Sequence, residues 1–242
     1  MTSRIILGFA SLLLGGAIFA ESVLTDRMTF STLSDSMDVT ASEKVLQEAY
    51  KTLGIEISVE TLPAAEALRR ANEGEVDGEV QRIDGITKQY SHLIQIPIPI
   101  NYIQGAVFSK RTDLKILGWH SLKPFRIGLV KGVLFAEKGT SGMNTVTTSD
   151  YRSLVDLVIN DEVDVIVAPY INGLVAIKNH PQGAQLHTNG ILETYLLYHY
   201  LNEEHQDLVP IVTKVLKGLL LDGTIPRIRK EALRELVGET EP

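Results

Sequence analysis

The chain has 242 residues, of which 44% are hydrophobic, 22% charged and 6% aromatic. This composition is that of an ordinary folded protein, and it excludes disordered, collagen-like and low-complexity chains. The length suits one large domain or two lobes of about 100 residues each, because single hydrophobic cores stop growing near roughly 250 residues.

Charge and cysteine content exclude further classes of protein. The chain carries 30 acidic residues against 23 Lys and Arg, a net charge of −7. Because no basic stripe offers a surface that neutralises phosphates, we expect no nucleic-acid partner. The chain has no cysteine, which excludes thiolate catalysis, cysteine-ligated zinc, iron–sulfur clusters and disulfides.

Residues 1–20 are typical of a secretory signal peptide. Arg4 is followed by an uncharged, largely apolar run over 5–20, and the polar pair Glu21 and Ser22 comes next. The run of about sixteen residues is shorter than the roughly twenty that a membrane-spanning helix needs. We therefore expect export to the periplasm and cleavage after residue 20, with an uncleaved N-terminal anchor as the alternative.

After residue 20 the chain alternates between strand and helix patterns. Residues 27–33 predict a strand, and 55–62 alternate in hydrophobicity like a half-buried strand. Between them, apolar residues recur at helical spacing up to Gly54, and a second helix is predicted from Pro63 to Gly74. This order predicts parallel βαβ units and hence an α/β fold.

Two helices have sequence patterns that predict side-chain caps at their first turns. Thr40 stands three residues before Glu43, which is the spacing of a capping box. Ser149 is predicted to cap a helix that extends to Asn160.

The middle of the chain predicts a strand that cannot be central in a sheet. Pro97 and Pro99 have no N–H to donate, so the segment 96–100 is predicted to be an edge or crossing strand. A second α/β run follows from Phe125. Its predicted elements are strands at 126–132, 143–148 and 164–168, a helix at 170–178 and a return segment at 192–201.

The end of the chain is predicted to be helical. Apolar residues keep helical spacing from 208 to 221, and a final helix is predicted over 225–236. Arg227, Arg229 and Lys230 are predicted to lie on its solvent-facing side.

Common catalytic and cofactor motifs are absent from the sequence. It contains no G-x-S-x-G elbow, P-loop or G-x-G-x-x-G pattern. His199 and His205 are six residues apart without a third ligand nearby, so we expect surface or capping histidines and not a metal site. We expect no cofactor, and no sequence feature requires an enzyme, although a pair of carboxylates for glycoside chemistry stays open.

Several motifs, in this order, resemble those of bacterial extracellular solute-binding proteins of family 3, which includes polar amino-acid-binding proteins. The motifs are EGEVDGEV, ITKQYSHLIQIPIPI, GAVFSK, LKPFRIGLVKG, INDEVDVIVAP and YLLYHYLNEEHQDLVPIVTKVLKGLLLDGTIPRI. The resemblance covers the chain from Arg27 to about Lys230.

The resemblance implies a type II periplasmic-binding-protein fold, in which two α/β lobes joined by two crossing strands close over a ligand. Lobe one would comprise 21–102 and 192–242, and lobe two 103–191. Hinges are expected near 102–107 and 189–195. The family role implies delivery of a small solute to an inner-membrane ABC permease by a monomeric protein, and we expect this solute to be polar or carboxylate-bearing.

Two departures from the family pattern concern the solute. Amino-acid-binding members usually carry an Arg in a Thr-x-x-Arg motif, where this chain has Tyr90 after Thr87. They also usually end a lobe-two strand with an Asp that holds the α-ammonium group, where this chain has Pro169. A zwitterion would be left with unpaired buried charges, so we expect a solute other than a standard α-amino acid.

In proteins with open parallel sheets, ligands bind beyond the carboxyl ends of the strands. Arg82 is the leading candidate because it can fork a carboxylate, with an ion pair to Asp84 or Glu79 as the alternative. Tyr102 and Tyr170 are candidate flat walls, with core packing as the alternative. The full predicted set is Ser34, Asp35, Ser36, Arg82, Tyr102, Lys131, Gly132, Thr148, Ser149 and Tyr170.

Two further functions stay open at this point. The closed form of the protein could dock on a membrane receptor as a ligand sensor. The same scaffold could also serve as a cleft enzyme, a dehydratase or lytic glycosidase, for which Glu66 and Asp35 are the candidate acids. Trp119 is expected to pack at the start of lobe two.

Overall fold

The computed structural model describes residues 27–34 and 36–238. The predicted signal peptide at 1–20 and the candidate site residue Asp35 lie outside the described residues. Within those two ranges, no helix has the length and apolar character that crossing a membrane requires.

The described chain alternates strands and helices as its sequence predicts. Its strands are β1 (Arg27–Leu33), β2 (Glu56–Leu62), β3 (Gly78–Ile83), β4 (Leu93–Ser109), β5 (Ile127–Val130), β6 (Thr145–Thr148), β7 (Val165–Pro169) and β8 (His187–Asn202). Its α-helices are α1 (Val39–Thr52), α2 (Ala64–Asn72), α3 (Leu134–Gly139), α4 (Tyr151–Ile159), α5 (Tyr170–Lys178), α6 (Val209–Leu221) and α7 (Thr224–Val237).

These strands form one mixed sheet in the order β2-β1-β3-β8-β4-β7-β5-β6. β1 pairs in parallel with β2 and β3 at one end of the sheet, and β5 pairs in parallel with β6 and β7 at the other. The long strands β4 and β8 pair antiparallel along nearly their whole length and connect the two ends. This arrangement confirms the predicted two-lobed α/β fold with two crossing strands.

Each end of the sheet has its own hydrophobic core, and we call the two ends lobe 1 and lobe 2. Lobe 1 contains β1–β3, α1, α2, α6 and α7, with the first part of β4 and the last part of β8. Lobe 2 contains β5–β7 and α3–α5, with the other parts of β4 and β8. The lobe 1 core includes Phe30, Leu46, Tyr50, Ile96 and Leu216. The lobe 2 core includes Phe108, Leu154, Val158, Ile166 and Leu129.

The two prolines of β4 lie at the edge of lobe 1. β7 pairs with β4 only from Gly105 onward, so the part of β4 that contains Pro97 and Pro99 has β8 as its hydrogen-bonded neighbour. A residue without an N–H is tolerated there because that side of the strand needs no ladder bond. The prediction of an edge or crossing strand is confirmed.

Both predicted helix caps are wrong by one or two residues. α1 begins at Val39 after Asp38, whose side chain makes no capping hydrogen bond to the first turn. Thr40 is therefore already inside the helix and cannot cap it. α4 is capped by Asp150, whose extended backbone lets its carboxylate accept from the N–H of Ser153 at 2.8 Å. The hydroxyl of Ser149 instead donates to the Asp150 carboxylate at 2.8 Å.

One residue of α7 that was predicted to face solvent is buried instead. Arg229 is only 8% exposed because it lies on the same side of α7 as the buried Ile225 and Ile228, while Arg227 and Lys230 are exposed as predicted.

The histidine prediction also needs correction. His199 is 0% exposed, because its position on β8 points it at Phe30 and Tyr50 in the lobe 1 core. His205 is partly buried, with its Nε2 2.6 Å from Oδ1 of Asp77. Neither histidine is therefore a simple surface or capping residue.

Candidate functional site

The crossing strands set the carboxyl ends of the two groups of parallel strands against each other. β3 and β4 both run antiparallel to β8 and therefore point the same way, whereas β7 runs antiparallel to β4. Ile83 at the end of β3 is level with Leu197, which pairs with Asn101 of β4. Pro169 at the end of β7 pairs with Gly105.

We call the space between these two strand ends the interlobe gap. The four steps of extended chain from Asn101 to Gly105 separate these two strand ends by about 13 Å along the sheet. The gap lies beyond the carboxyl ends of the parallel strands of both lobes, which is where open α/β sheets bind ligands.

The lobe 1 side of the gap is formed by the ends of β1 and β3. Ser34 follows β1 and donates its N–H to the carbonyl of Leu62 at 2.8 Å. The carbonyl of Ser36 accepts from the N–H of Val39 at 3.3 Å, just before α1 begins. Arg82 lies near the end of β3, opposite Tyr198 of β8. The topology therefore brings Ser34, Ser36 and Arg82 to one edge.

Arg82 forms an ion pair within its own strand. Its Nε is 2.9 Å from Oε1 of Glu79, and the two side chains are 11% and 0% exposed. The other carboxylate oxygen of Glu79 accepts from the hydroxyl of Ser31 at 2.7 Å. Burial raises the pKa of Glu79 to about 7, although Arg82 and Ser31 both act to lower it. The ion pair is the alternative that the sequence left open, and solute binding by Arg82 stays a prediction.

The lobe 2 side of the gap collects residues that follow β5 and β6. Lys131 is exposed and donates its backbone N–H to the carbonyl of Thr148 at 2.9 Å. Gly132 has φ 86°, a backbone conformation that favours glycine, and its N–H donates to Glu137 at 2.8 Å. Because Ser149 follows Thr148 directly, these four predicted site residues lie together.

The two candidate tyrosines pack against neighbours. The ring of Tyr170, at the start of α5, is stacked on Phe108 with 6.4 Å between centroids and 12° between planes. The guanidinium carbon of Arg229 lies 3.4 Å from the ring centroid of Tyr102, a cation–π contact. Both tyrosines are partly exposed, and their contact with solute stays a prediction.

A buried polar network that the sequence analysis missed lies beside the gap. Nδ2 of Asn101 donates to the carbonyl of Asp38 at 2.9 Å and to the Ser42 hydroxyl at 3.0 Å, and the Ser42 hydroxyl donates to Gln81. Oδ1 of Asn101 accepts from Nε of Arg229 at 2.9 Å. The signal available in the sequence was a lone Asn after the apolar run 96–100.

A second missed feature ties lobe 2 to a crossing strand. Nε1 of Trp119 donates to Oε2 of Glu193 on β8 at 3.1 Å, and the Tyr195 hydroxyl donates to the same oxygen at 2.6 Å. Trp119 also packs against Phe135, with 6.2 Å between ring centroids. The expectation that Trp119 packs at the start of lobe 2 is confirmed. Its indole therefore contacts β8, one of the two crossing strands.

Metal binding has no visible basis in the described part of the chain. Across residues 27–34 and 36–238, no three His, Asp or Glu side chains come together as metal ligands would.

Comparison with solved structures identifies the fold. The chain resembles a histidine kinase sensor domain similar to periplasmic binding proteins, with a TM-score of 0.69 and 14% identity over 90% of this chain and 99% of that one. It also resembles AbpA, an amino acid ABC transporter substrate-binding protein of Streptococcus pneumoniae bound to L-arginine, with a TM-score of 0.67 and 14% identity over 88% and 97% of the two chains. The fold is therefore that of the two-lobed type II periplasmic binding proteins.

Sequence comparison yields a relative without a described function. An uncharacterised protein of Shewanella oneidensis is 26% identical over 200 residues, which cover 79% of this chain and 75% of that protein. No family model matches the chain.

Proposed function

We propose that this chain is a periplasmic binding protein that captures a small carboxylate-bearing solute in the interlobe gap and delivers it to an ABC-type permease. What supports this proposal is the opposition of the strand ends of the two lobes, because Arg82 lies near the end of β3 and Lys131 directly follows β5. Closure of such lobes excludes water and strengthens each polar contact with the solute.

The charges at the gap favour an anion over a zwitterion. Arg82 and Lys131 both attract a carboxylate, and Arg can bind it through two parallel hydrogen bonds. Pro169, at the end of β7, has neither a charge nor an N–H to hold an ammonium group. We therefore expect a solute that lacks the α-ammonium group of a standard amino acid.

We further propose that the lobes comprise 21–102 with 192–242 and 103–191, and that they hinge near 102–107 and 189–195. Pairing between β4 and β8 is irregular between Gly105 and Ala106 and between Val107 and Phe108. Such interruptions of the ladder weaken a strand pair locally and allow it to bend. A monomer is sufficient for this mechanism.

The proposal is tested with a panel of carboxylates, each added to the purified mature chain. Binding should reduce the radius of gyration in small-angle scattering and change the fluorescence of Trp119. Arg82→Gln should weaken binding by at least tenfold, the loss expected from one charge-assisted contact. The matched control is Arg111→Gln, which removes an exposed arginine paired with Asp113. Equal binding by both variants would contradict a role for Arg82.

A sensory function is the second candidate, because the chain also resembles the sensor domain of a histidine kinase. In that case the closed form would dock on a membrane receptor. The two functions differ in cells, where deletion of the gene abolishes uptake of the radiolabelled solute only if the protein serves transport. Unchanged uptake with a lost transcriptional response to the solute would favour sensing.

A further inference from the structure

The carboxylate behind Arg82 is enclosed on all sides by lobe 1. Glu79 is 0% exposed, with one oxygen accepting from Ser31 at 2.7 Å and the other 2.9 Å from Nε of Arg82. The Ser31 hydroxyl also lies 2.9 Å from the carbonyl of Ala67 in α2. A carboxylate in such surroundings has lost its hydration, so its ionised form depends on the few groups that face it.

On the strands around Glu79, the charged side chain that lies next to its carboxylate is Arg82. β8 presents Tyr200, which pairs with Glu79 and donates its hydroxyl to the carbonyl of Ile83 at 2.8 Å. His199 directs Nδ1 to the backbone carbonyl of Glu79 at 2.8 Å and not to its carboxylate. Because burial lowers the pKa of His199 to about 4, the imidazole is neutral at physiological pH.

The helices that pack on β3 direct their charges elsewhere. In α2, Arg69 pairs with Glu66, Glu73 and Glu75, and Arg70 pairs with Glu60 and Glu75. In α1, Ser42 bonds to Gln81, and the Tyr50 hydroxyl bonds to His199 at 2.9 Å. The partly exposed Lys44 of α1 pairs with Glu235.

We propose that Glu79 is a positioning residue for Arg82 that couples anion capture in the interlobe gap to the uptake of one proton. The inference rests on the proposed function, since it requires that Arg82 binds the solute. Ionised Glu79 and an anionic solute would compete for the guanidinium of Arg82 in a site that closes to water. Protonation of Glu79 removes that competition and strengthens the interaction of Arg82 with the solute.

This coupling gives the binding reaction a defined pH dependence. Burial already raises the pKa of Glu79 to about 7 in the free protein, so a proton is available at modest cost. Above that pH the dissociation constant for an anion should increase by up to about tenfold per pH unit, because each binding event must also bind a proton. Below it, affinity should be constant.

The experiment is calorimetric titration of the wild-type chain with acetate, pyruvate, succinate and benzoate at pH 6, 7, 8 and 9. Each titration is run in two buffers that differ in ionisation enthalpy, so that the number of protons taken up is measured directly. Glu79→Gln keeps the shape of the side chain and a hydrogen-bonding oxygen but cannot ionise. We expect it to bind with the affinity of the wild type at pH 6 and to show no proton uptake.

The matched control is Glu75→Gln, because Glu75 also pairs with an arginine of lobe 1, at 2.7 Å from Arg69, but is exposed. This variant should retain the pH profile of the wild type. A second variant, Ser31→Ala, keeps the carboxylate and removes its hydroxyl donor. It should raise the pKa of Glu79 and move the loss of affinity to higher pH, which provides a test even if Glu79→Gln fails to fold.

The outcomes separate the two proposals. Equal pH slopes in wild type and Glu79→Gln, or no proton uptake by the wild type, would overturn the role of Glu79 while leaving carboxylate capture intact. If none of the four carboxylates binds at any pH, carboxylate capture is wrong and the coupling with it.

Discussion

In lobe 1, ionisable side chains are buried close to the interlobe gap, whereas the buried polar residues of lobe 2, Ser109, Thr140, Asn172 and Asn189, are all uncharged. Glu79, Gln81, Asn101, His199 and Arg229 are all buried in lobe 1. The corresponding strand β7 of lobe 2 reads VIVAP, and each of its five residues is buried. The two lobes therefore have the same strand order around different interiors.

The difference teaches how each lobe is stabilised. A buried polar group is costly unless it is hydrogen-bonded, and each of the five in lobe 1 contacts specific polar partners. Such a network fixes side-chain directions, which is what a site needs on its rigid side. The described part of lobe 2 has no buried charged side chain, and its predicted site residues, such as Lys131 and Gly132, lie in exposed turns.

The strongest test of this comparison removes apolar packing from lobe 2. Phe108 is fully buried and stacks on Tyr170, so Phe108→Ala should lower the free energy of unfolding by about 3–5 kcal/mol. Chemical denaturation measures this loss. The control Leu117→Ala removes a side chain that is 90% exposed and should change stability by less than about 0.5 kcal/mol.

The next largest effect is the pH dependence of the unfolding free energy that arises from Glu79, which is buried in lobe 1. Glu79 has a pKa of about 7 when folded, above its ordinary 4.5, so the folded chain binds this proton more tightly than the unfolded chain. The stabilisation is complete below pH 4.5 and is lost as pH rises through 7. The difference in unfolding free energy between wild type and Glu79→Gln should therefore change by about 3 kcal/mol across this range.

His199 makes this prediction sharper because its contribution to stability depends on pH in the opposite direction to that of Glu79. Its pKa is lowered from 6.5 to about 4, so its contribution is complete above pH 6.5 and is lost as pH falls through 4. The two slopes oppose each other between pH 4.5 and 6.5 in the wild type. Glu79→Gln should therefore become more stable with rising pH there, as urea unfolding at several pH values would measure. A difference from wild type that does not vary with pH would contradict burial of an ionisable Glu79.

A smaller effect is expected from the polar network. Asn101→Ala removes bonds to Asp38, Ser42 and Arg229 and leaves buried polar groups behind, at a cost of about 2 kcal/mol. Thermal or chemical unfolding measures it, with the exposed Asn144→Ala as the matched control. Equal stability of the two variants would show that the network contributes nothing net.

The smallest effect tests the corrected cap of α4. Asp150→Ala should lower the free energy of unfolding by about 1 kcal/mol, because its carboxylate accepts from the N–H of Ser153. Ser149→Ala should have a much weaker effect. The reverse ranking in urea unfolding would restore Ser149 as the cap.

The regular elements were predictable because their signals are local. The helix Tyr170–Lys178 and the strand Arg27–Leu33 have the predicted bounds, since hydrophobic periodicity and flanking Gly or Pro act within a few residues. Helix caps were less predictable. Asp150 and Ser149 are both good cap residues, and the choice between them depends on which one has an extended backbone.

Burial of polar residues was the least predictable property. Arg229 and His199 have polar side chains in patterns that allow either an exposed or a buried position. Arg229 is buried because Tyr102 and Asn101 of a distant strand receive its guanidinium. No signal within α7 itself encodes that partner.

By itself, the amino-acid sequence determined the alternation of strands and helices, the proline-bearing crossing strand and the edges where candidate site residues collect, because periodicity and turn chemistry operate over short stretches of chain. Only the tertiary structure decided that Glu79 is buried behind Arg82 and that Arg229 packs on the ring of Tyr102. Those contacts depend on the register of the strands and the packing of α2 and α7 on the sheet, which bring together residues far apart in the chain.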